Sequence, residues 1–174
     1  MKKRTVWVAA LMSLSVSGMA QQVLPKDVAG DKEYARACKE YELKADNSME
    51  LLEAYLKQYP DSRHANRVES MMASIYFDEG KYQEAIALYR SCDLDALADK
   101  ERDDAVLKLA TAYLKVGELK ESAVWFTLLK EVSKTHQSDA LYQLGYIDYV
   151  EGNYNQALKA FTSLQRDDVY DALV

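Results

Sequence analysis

The feature that most constrains this chain is self-similarity at a nearly fixed period. Three segments align without gaps. The first reads Met72-Ala73-Ser74-Ile75-Tyr76-Phe77-Asp78-Glu79-Gly80-Lys81-Tyr82-Gln83-Glu84-Ala85-Ile86, and the others are 109–123 and 144–158. Their glycines, Gly80, Gly117 and Gly152, are spaced by 37 and 35 residues. Copies at a period of roughly 20–50 residues mean one supersecondary unit that cannot bury its apolar face alone and stacks on its neighbours. With 6 Gly and 2 Pro in 174 residues, 49% of them hydrophobic, the chain has few breakers to spend on short strands and turns, so the unit is a helix pair.

The pattern within each copy resembles the tetratricopeptide repeat: a large apolar residue, a small one, an aromatic, Gly at the turn, an aromatic two later, Ala, and an aromatic four further on. Leu144, Gly145, Gly152, Tyr154, Ala157 and Phe161 fill these positions in the third copy, and Gly80, Tyr82, Ala85 and Tyr89 in the first. The second keeps Gly117 and Phe126 but has Leu119 for the aromatic and Ser122 for the Ala, while Asp148 stands at a usually aromatic position of the third. Gly suits the end of a first helix because it adopts the left-handed backbone that reverses the chain, and Ala lets the paired helices approach. The fold expected is all-α, a right-handed α-solenoid of stacked antiparallel helix pairs.

The expected boundaries are a signal peptide at 1–20, a short linker at 21–30 and the repeat domain at 31–174, with pairs at about 31–60, 63–93, 102–133 and 138–165. The pair at 31–60 is degenerate: it has apolar faces at Tyr34, Cys38, Tyr41 and at Leu51, Leu52, Tyr55, Leu56, Tyr59, with Asp46 or Asn47 as the cap between, but no turn Gly. Residues 166–174 look like the start of a further first helix at 167–174. Because terminal repeats need a polar outer face, an array stopping at Ala172-Leu173-Val174 is expected to be a fragment of a longer chain.

Export is expected from the N-terminus. Met1-Lys2-Lys3-Arg4 forms a positive start, residues 5–16 an apolar run, and Gly18-Met19-Ala20 a small-x-small site for cleavage after Ala20. That run is well short of the roughly 20 residues that cross a bilayer, so the mature chain is expected to have no transmembrane segment and to reside in the periplasm or at the outer membrane of a bacterium. With the leader removed, 19 basic residues face 28 acidic ones, a net −9 that argues against nucleic acid as a partner.

No catalytic or metal constellation stands out, and no cofactor is expected. His64 and His136 have no ligand-spaced companions, and acid pairs such as Asp103-Asp104 sit at helix starts, where the helix dipole accounts for them. Cys38 and Cys92 are expected to be unpaired, being separated by intervening helices.

The resemblance instead implies a groove lined by the first helices that takes a protein or peptide partner. Carried over by repeat position, it contains Arg67, Ser70, Ser74, Phe77 and Asp78, then Asp104, Leu107, Thr111, Leu114 and Lys115, then Asp139, Tyr142, Tyr146, Tyr149 and Val150. Arg67, Phe77, Leu107, Leu114, Tyr142, Tyr146 and Tyr149 are the candidate contact residues. The Lys and Asn clamp of chaperone-binding members is absent, since Ser70 and Ser74 hold those positions. Tyr142, Tyr146 and Tyr149, at i, i+4 and i+7, share one helix face, expected to point away from the paired helix and serve either recognition or packing on a neighbour. The functional expectation is a non-enzymatic scaffold for protein–protein interaction in the bacterial envelope. The alternatives are a sensor or substrate-positioning arm of a larger enzyme or receptor, and a coordinator of outer-membrane or cell-wall assembly.

Overall fold

The computed structural model describes residues 30–171, with side chains as far as 165; the expected signal peptide and the final three residues lie outside the described part. Eight α-helices follow one another: α1 (Asp31–Glu42), α2 (Ser48–Gln58), α3 (Ala65–Asp78), α4 (Tyr82–Ser91), α5 (Asp99–Lys115), α6 (Leu119–Val132), α7 (Gln137–Val150) and α8 (Tyr154–Asp171). The link from α4 to α5 carries a short 3₁₀ turn, Leu94–Ala96. There is no strand among the described residues. Each helix packs on the one before and the one after, and α3 also touches α5, so the chain is an α-solenoid of helix pairs.

All four first helices end in the same backbone motif. At the end of α3, Gly80 N–H donates to Phe77 O and Lys81 N–H to Tyr76 O, at 3.0 and 2.8 Å. The same two bonds recur around Gly117 and Gly152. This double closure satisfies the last carbonyls of a helix only if the residue after the cap is left-handed. At the end of α1 that residue is Lys44, φ +52°, with Lys44 N–H on Tyr41 O and Ala45 N–H on Glu40 O. The pair without a turn glycine therefore makes the same turn. Asp46 and Asn47 do not cap α2 with a side chain; the buried Ser48 hydroxyl closes the loop instead, 2.6 Å from Ala45 O and 2.9 Å from Glu40 O.

The core is three clusters in series. Ala37, Leu52, Tyr55, Val68, Met71 and Met72 join α1, α2 and α3. Ala73, Ala85, Ile86 and Tyr89 are closed over by Ala105, Leu109, Ala112 and Tyr113 of α5. Val106, Ala110, Phe126 and Leu129 are closed over by Ala140 and Ile147 of α7. Each pair is thus completed by the first helix of the next one, as stacked repeats require. Ser122, standing where Ala is usual, is fully buried and donates to Ala110 O at 2.9 Å, which satisfies its hydroxyl inside the contact between α5 and α6.

Two expectations change. Residues 166–171 do not start a separate helix: α8 runs unbroken to Asp171, because no Gly or Pro interrupts it after Tyr154. And α5 starts at Asp99, ahead of residue 102, with Asp99 and Glu101 placing acid in its first turn where the helix dipole favours it. The thiols of Cys38 and Cys92 are free. Cys92 sits at the end of α4, its Sγ 3.7 Å from Asn66 O; burial first, and then Glu69, push it up to about 12.

Candidate functional site

The first helices α1, α3, α5 and α7 line one side of the solenoid, and polar side chains bridge them at intervals of one repeat. Asp31 of α1 meets the His64 ring at 3.0 Å and Arg63 at 2.9 Å. The His64 hydrogen bond is the main reason the Asp31 carboxyl lies below its usual range. Tyr34 stacks flat on His64, centroids 3.8 Å apart, and its hydroxyl accepts from Arg67 of α3. Burial first, helped by the Cys38 thiol, pushes Tyr34 up to about 12, so it stays a neutral phenol there. Arg67 in turn pairs with Glu101 of α5 at 2.5 Å. Lys108 of α5 reaches back to Ser74 Oγ at 2.5 Å and Asp78 at 2.8 Å. His136, preceding α7, meets Asp104 of α5 at 2.8 Å and Asp139 at 3.2 Å. Burial alone would lower His136, but the hydrogen bonds its ring makes to the Asp104 and Asp139 carboxylates outweigh it and hold the ring above its ordinary value.

Sequence reasoning weighed His64 and His136 only as metal ligands and so missed this role. Among the described residues no His, Cys, Asp or Glu group could hold a metal ion. The signal was nevertheless in the numbering: the two histidines are 72 residues apart, the same interval as Gly80 to Gly152, so they occupy one repeat position.

A hollow of about 680 Å³ lies where the α1–α2 turn meets α3 and Lys108, and two smaller ones hold candidate contact residues. One, about 320 Å³, is lined by Arg67, Ser70, Ser74, Asp104, Leu107 and Lys108, together with Tyr41 and Glu101. Four of its charged side chains, Arg67, Glu101, Asp104 and Lys108, are already engaged within the chain. The other, about 440 Å³, lies between α5 and α7, lined by Thr111, Leu114, Lys115 and Leu119 on one side and Tyr142, Gln143, Tyr146 and Val150 on the other. Tyr142 and Tyr146 are 53% and 44% exposed, and neither hydroxyl has a hydrogen-bond partner among the described residues.

The seven candidate contact residues thus separate. Leu114, Tyr142 and Tyr146 come together in the second hollow, and Arg67 and Leu107 line the first. Phe77 lines neither, being half-buried against the α3–α5 cluster under Lys108, and Tyr149 also lies outside both. Two of the three tyrosines of the stripe do not face away from their own pair. Tyr142 packs on Phe161 of α8 at 5.7 Å and Tyr149 on Tyr154 at 5.6 Å, because aromatic rings at these positions find their nearest apolar neighbours on the paired helix.

The profile of the tetratricopeptide repeat family matches residues 72–169, more than half of the chain and the stretch that holds all three glycine-marked copies. The chain belongs to the tetratricopeptide repeat family. No curated protein matches it. Tetratricopeptide repeats generally mediate protein–protein interaction and form a non-catalytic scaffold. Among the described residues no helix is long and apolar enough to cross a membrane.

Proposed function

We propose that this tetratricopeptide repeat protein is a non-enzymatic scaffold that binds a peptide or an extended segment of another protein in the hollow between α5 and α7, and that it does so in the bacterial envelope. The observation that carries the binding reading is the convergence of Tyr142 and Tyr146 with Leu114 and Val150 on that hollow. The charged end of the groove holds itself together, whereas the tyrosine end offers flat apolar area and free hydroxyls, the combination enriched in binding hot spots. The envelope reading is supported by the positive start, short apolar run and small-x-small site at 1–20.

The binding test is selection of extended peptides displayed on phage against the exported protein and against a Tyr142→Ser, Tyr146→Ser double variant. Peptides captured by the parent should lose about 2 kcal/mol or more on the variant while its melting temperature holds. Equal capture by both proteins, or a melting drop that accounts for the loss, refutes the assignment. For location, the intact mass of the exported chain should correspond to a start at Gln21; a chain still carrying Met1 removes the support for export.

A further inference from the structure

We propose that the hollow of about 680 Å³ at the α1–α2 turn is a subsite for one basic side chain, a Lys or an Arg, of an extended segment of a partner protein, and that its charge is met there by Glu42 and Asp46. The repeat shows what this place lacks. Glu42 and Asp78 are the last residues of α1 and α3 and stand 36 positions apart, the same interval as Lys44 to Gly80, which carry the left-handed turns. A carboxylate at a helix C-terminus is disfavoured by the helix dipole. At Asp78 the next first helix compensates: Lys108 of α5 lies 2.8 Å away, with its ammonium 5.3 Å from the centre of the Phe77 ring. The residue of α3 that corresponds to Lys108 is 37 positions earlier, the interval from Gly80 to Gly117, and it is Met71, buried in the first core cluster. Glu42 is therefore left without its cation; it is exposed and makes no ion pair among the described residues. Lys39 stands in the same last turn but forms no ion pair with it. The other two first helices end in Lys115 and Val150, so no acid needs a partner there.

The space in front of Glu42 fits a long cationic side chain. Its floor is Tyr41, Met49 and Ile75, each half-buried and packed on the first core cluster, which suits the aliphatic stem of a Lys or Arg whose charged head stays at the rim. Four carboxylates line the hollow against two ammonium groups, Lys44 and Lys108. Lys108 serves Asp78, and Glu79 pairs with Lys81 at 2.7 Å. That leaves Glu42 and Asp46 against Lys44, none of which makes an ion pair among the described residues, and so an excess of negative charge. These carboxylates belong to no group that could hold a metal ion, so the complement is an organic cation. Tyr41, Glu42 and Lys108 also line the adjoining hollow of about 320 Å³, so a chain lying along the first helices has room to run on past the side chain it leaves here. This subsite does not depend on the hollow between α5 and α7.

The probe is acetyl-Ala-Leu-Arg-Leu-Ala-amide, titrated into the isotope-labelled exported chain and followed by amide chemical shifts, with the same peptide carrying Gln for Arg, and free spermine, as comparison arms. Shifts of the Glu42, Asp46 and Ile75 amides should saturate with the Arg peptide. Affinity should fall about fivefold for the Gln peptide, and likewise for the Arg peptide on Glu42→Gln. Removing an acid from a helix C-terminus should leave the melting temperature of Glu42→Gln unchanged or higher, and Asp46→Asn, in the turn, should weaken binding in the same direction. Equal affinity for the Arg and Gln peptides, no saturable shift at these amides, or binding that neither substitution weakens overturns the proposal. So does spermine binding there as tightly as the Arg peptide, which would make the hollow a small-cation site, or a dimer in sedimentation velocity that Glu42→Gln dissolves, which would give the face to a second copy. The Tyr142→Ser, Tyr146→Ser variant should bind the Arg peptide as the parent does; a loss there would move the peptide to the other hollow and overturn this assignment, whereas loss of phage peptides on that variant bears only on the hollow between α5 and α7.

Discussion

Lys44 carries the left-handed turn that Gly80, Gly117 and Gly152 carry elsewhere, and its side chain gains nothing visible in exchange. An L-residue with a Cβ in that region is disfavoured by roughly 1–2 kcal/mol, partly offset by the greater unfolded freedom of glycine, so Lys44→Gly should stabilise the protein by about 0.5–1 kcal/mol. A rise of about 2 °C in calorimetric melting is the expected result. Gly145 is glycine for another reason. Its φ is helical, but an added Cβ would lie 2.9 Å from Phe161 Cε1 and 3.0 Å from Ala160 Cβ, so the helix gives up propensity to let α7 and α8 touch. Gly145→Val should therefore cost about 1–3 kcal/mol, measured by urea unfolding, although valine is the better helix former. The two cases show what the residues disclosed beforehand. Gly145 was readable as the small residue of a helix contact because its repeat neighbours fixed its register. Lys44 was not, since a turn made by backbone geometry leaves no mark when the residue that makes it is not the usual one.

At the scale of the helices, apolar packing sets which elements touch and polar bridges fix how consecutive first helices lie. Repeat spacing made the pairs legible, but not the long α8, whose continuation depends only on the absence of any breaker after Phe161, nor the bridges, which join residues 30 to 34 positions apart. The bridge from Asp104 to His136 makes the α5–α7 contact pH-dependent with a definite sign. His136 binds its proton more tightly folded than unfolded. Its stabilising contribution is then complete below the unfolded value near 6.5 and drains away as pH rises through the higher folded value. The melting temperature of the parent should exceed that of His136→Gln more at pH 5.5 than at pH 8.5. A gap that widens with pH would contradict the bridge. The split among the candidate contacts has the same origin: position in the repeat does not tell which of them, Phe77 and Tyr149, line neither hollow, nor which, Arg67 above all, are already engaged by a neighbouring repeat.

Seen whole, the molecule is close to one-dimensional: stabilising contacts join neighbours along the chain, and three clusters in series take the place of a single centre. Opening should accordingly be graded along the chain. In native-state hydrogen exchange, amides of α3 to α6, flanked by packed helices on both sides, should be the slowest, and those of α8 should exchange earlier; uniform protection across all eight helices would contradict a series of cores. The bridges add a mechanical asymmetry to this picture. They tie the first helices edge to edge, like the sewn spine of a book, while the second helices, packed between first helices, have no such bridges to one another among the described residues, like its pages. The molecule should flex by fanning its outer edge while the spacing of the inner one stays fixed, so thermal bending leaves the width of the groove nearly untouched.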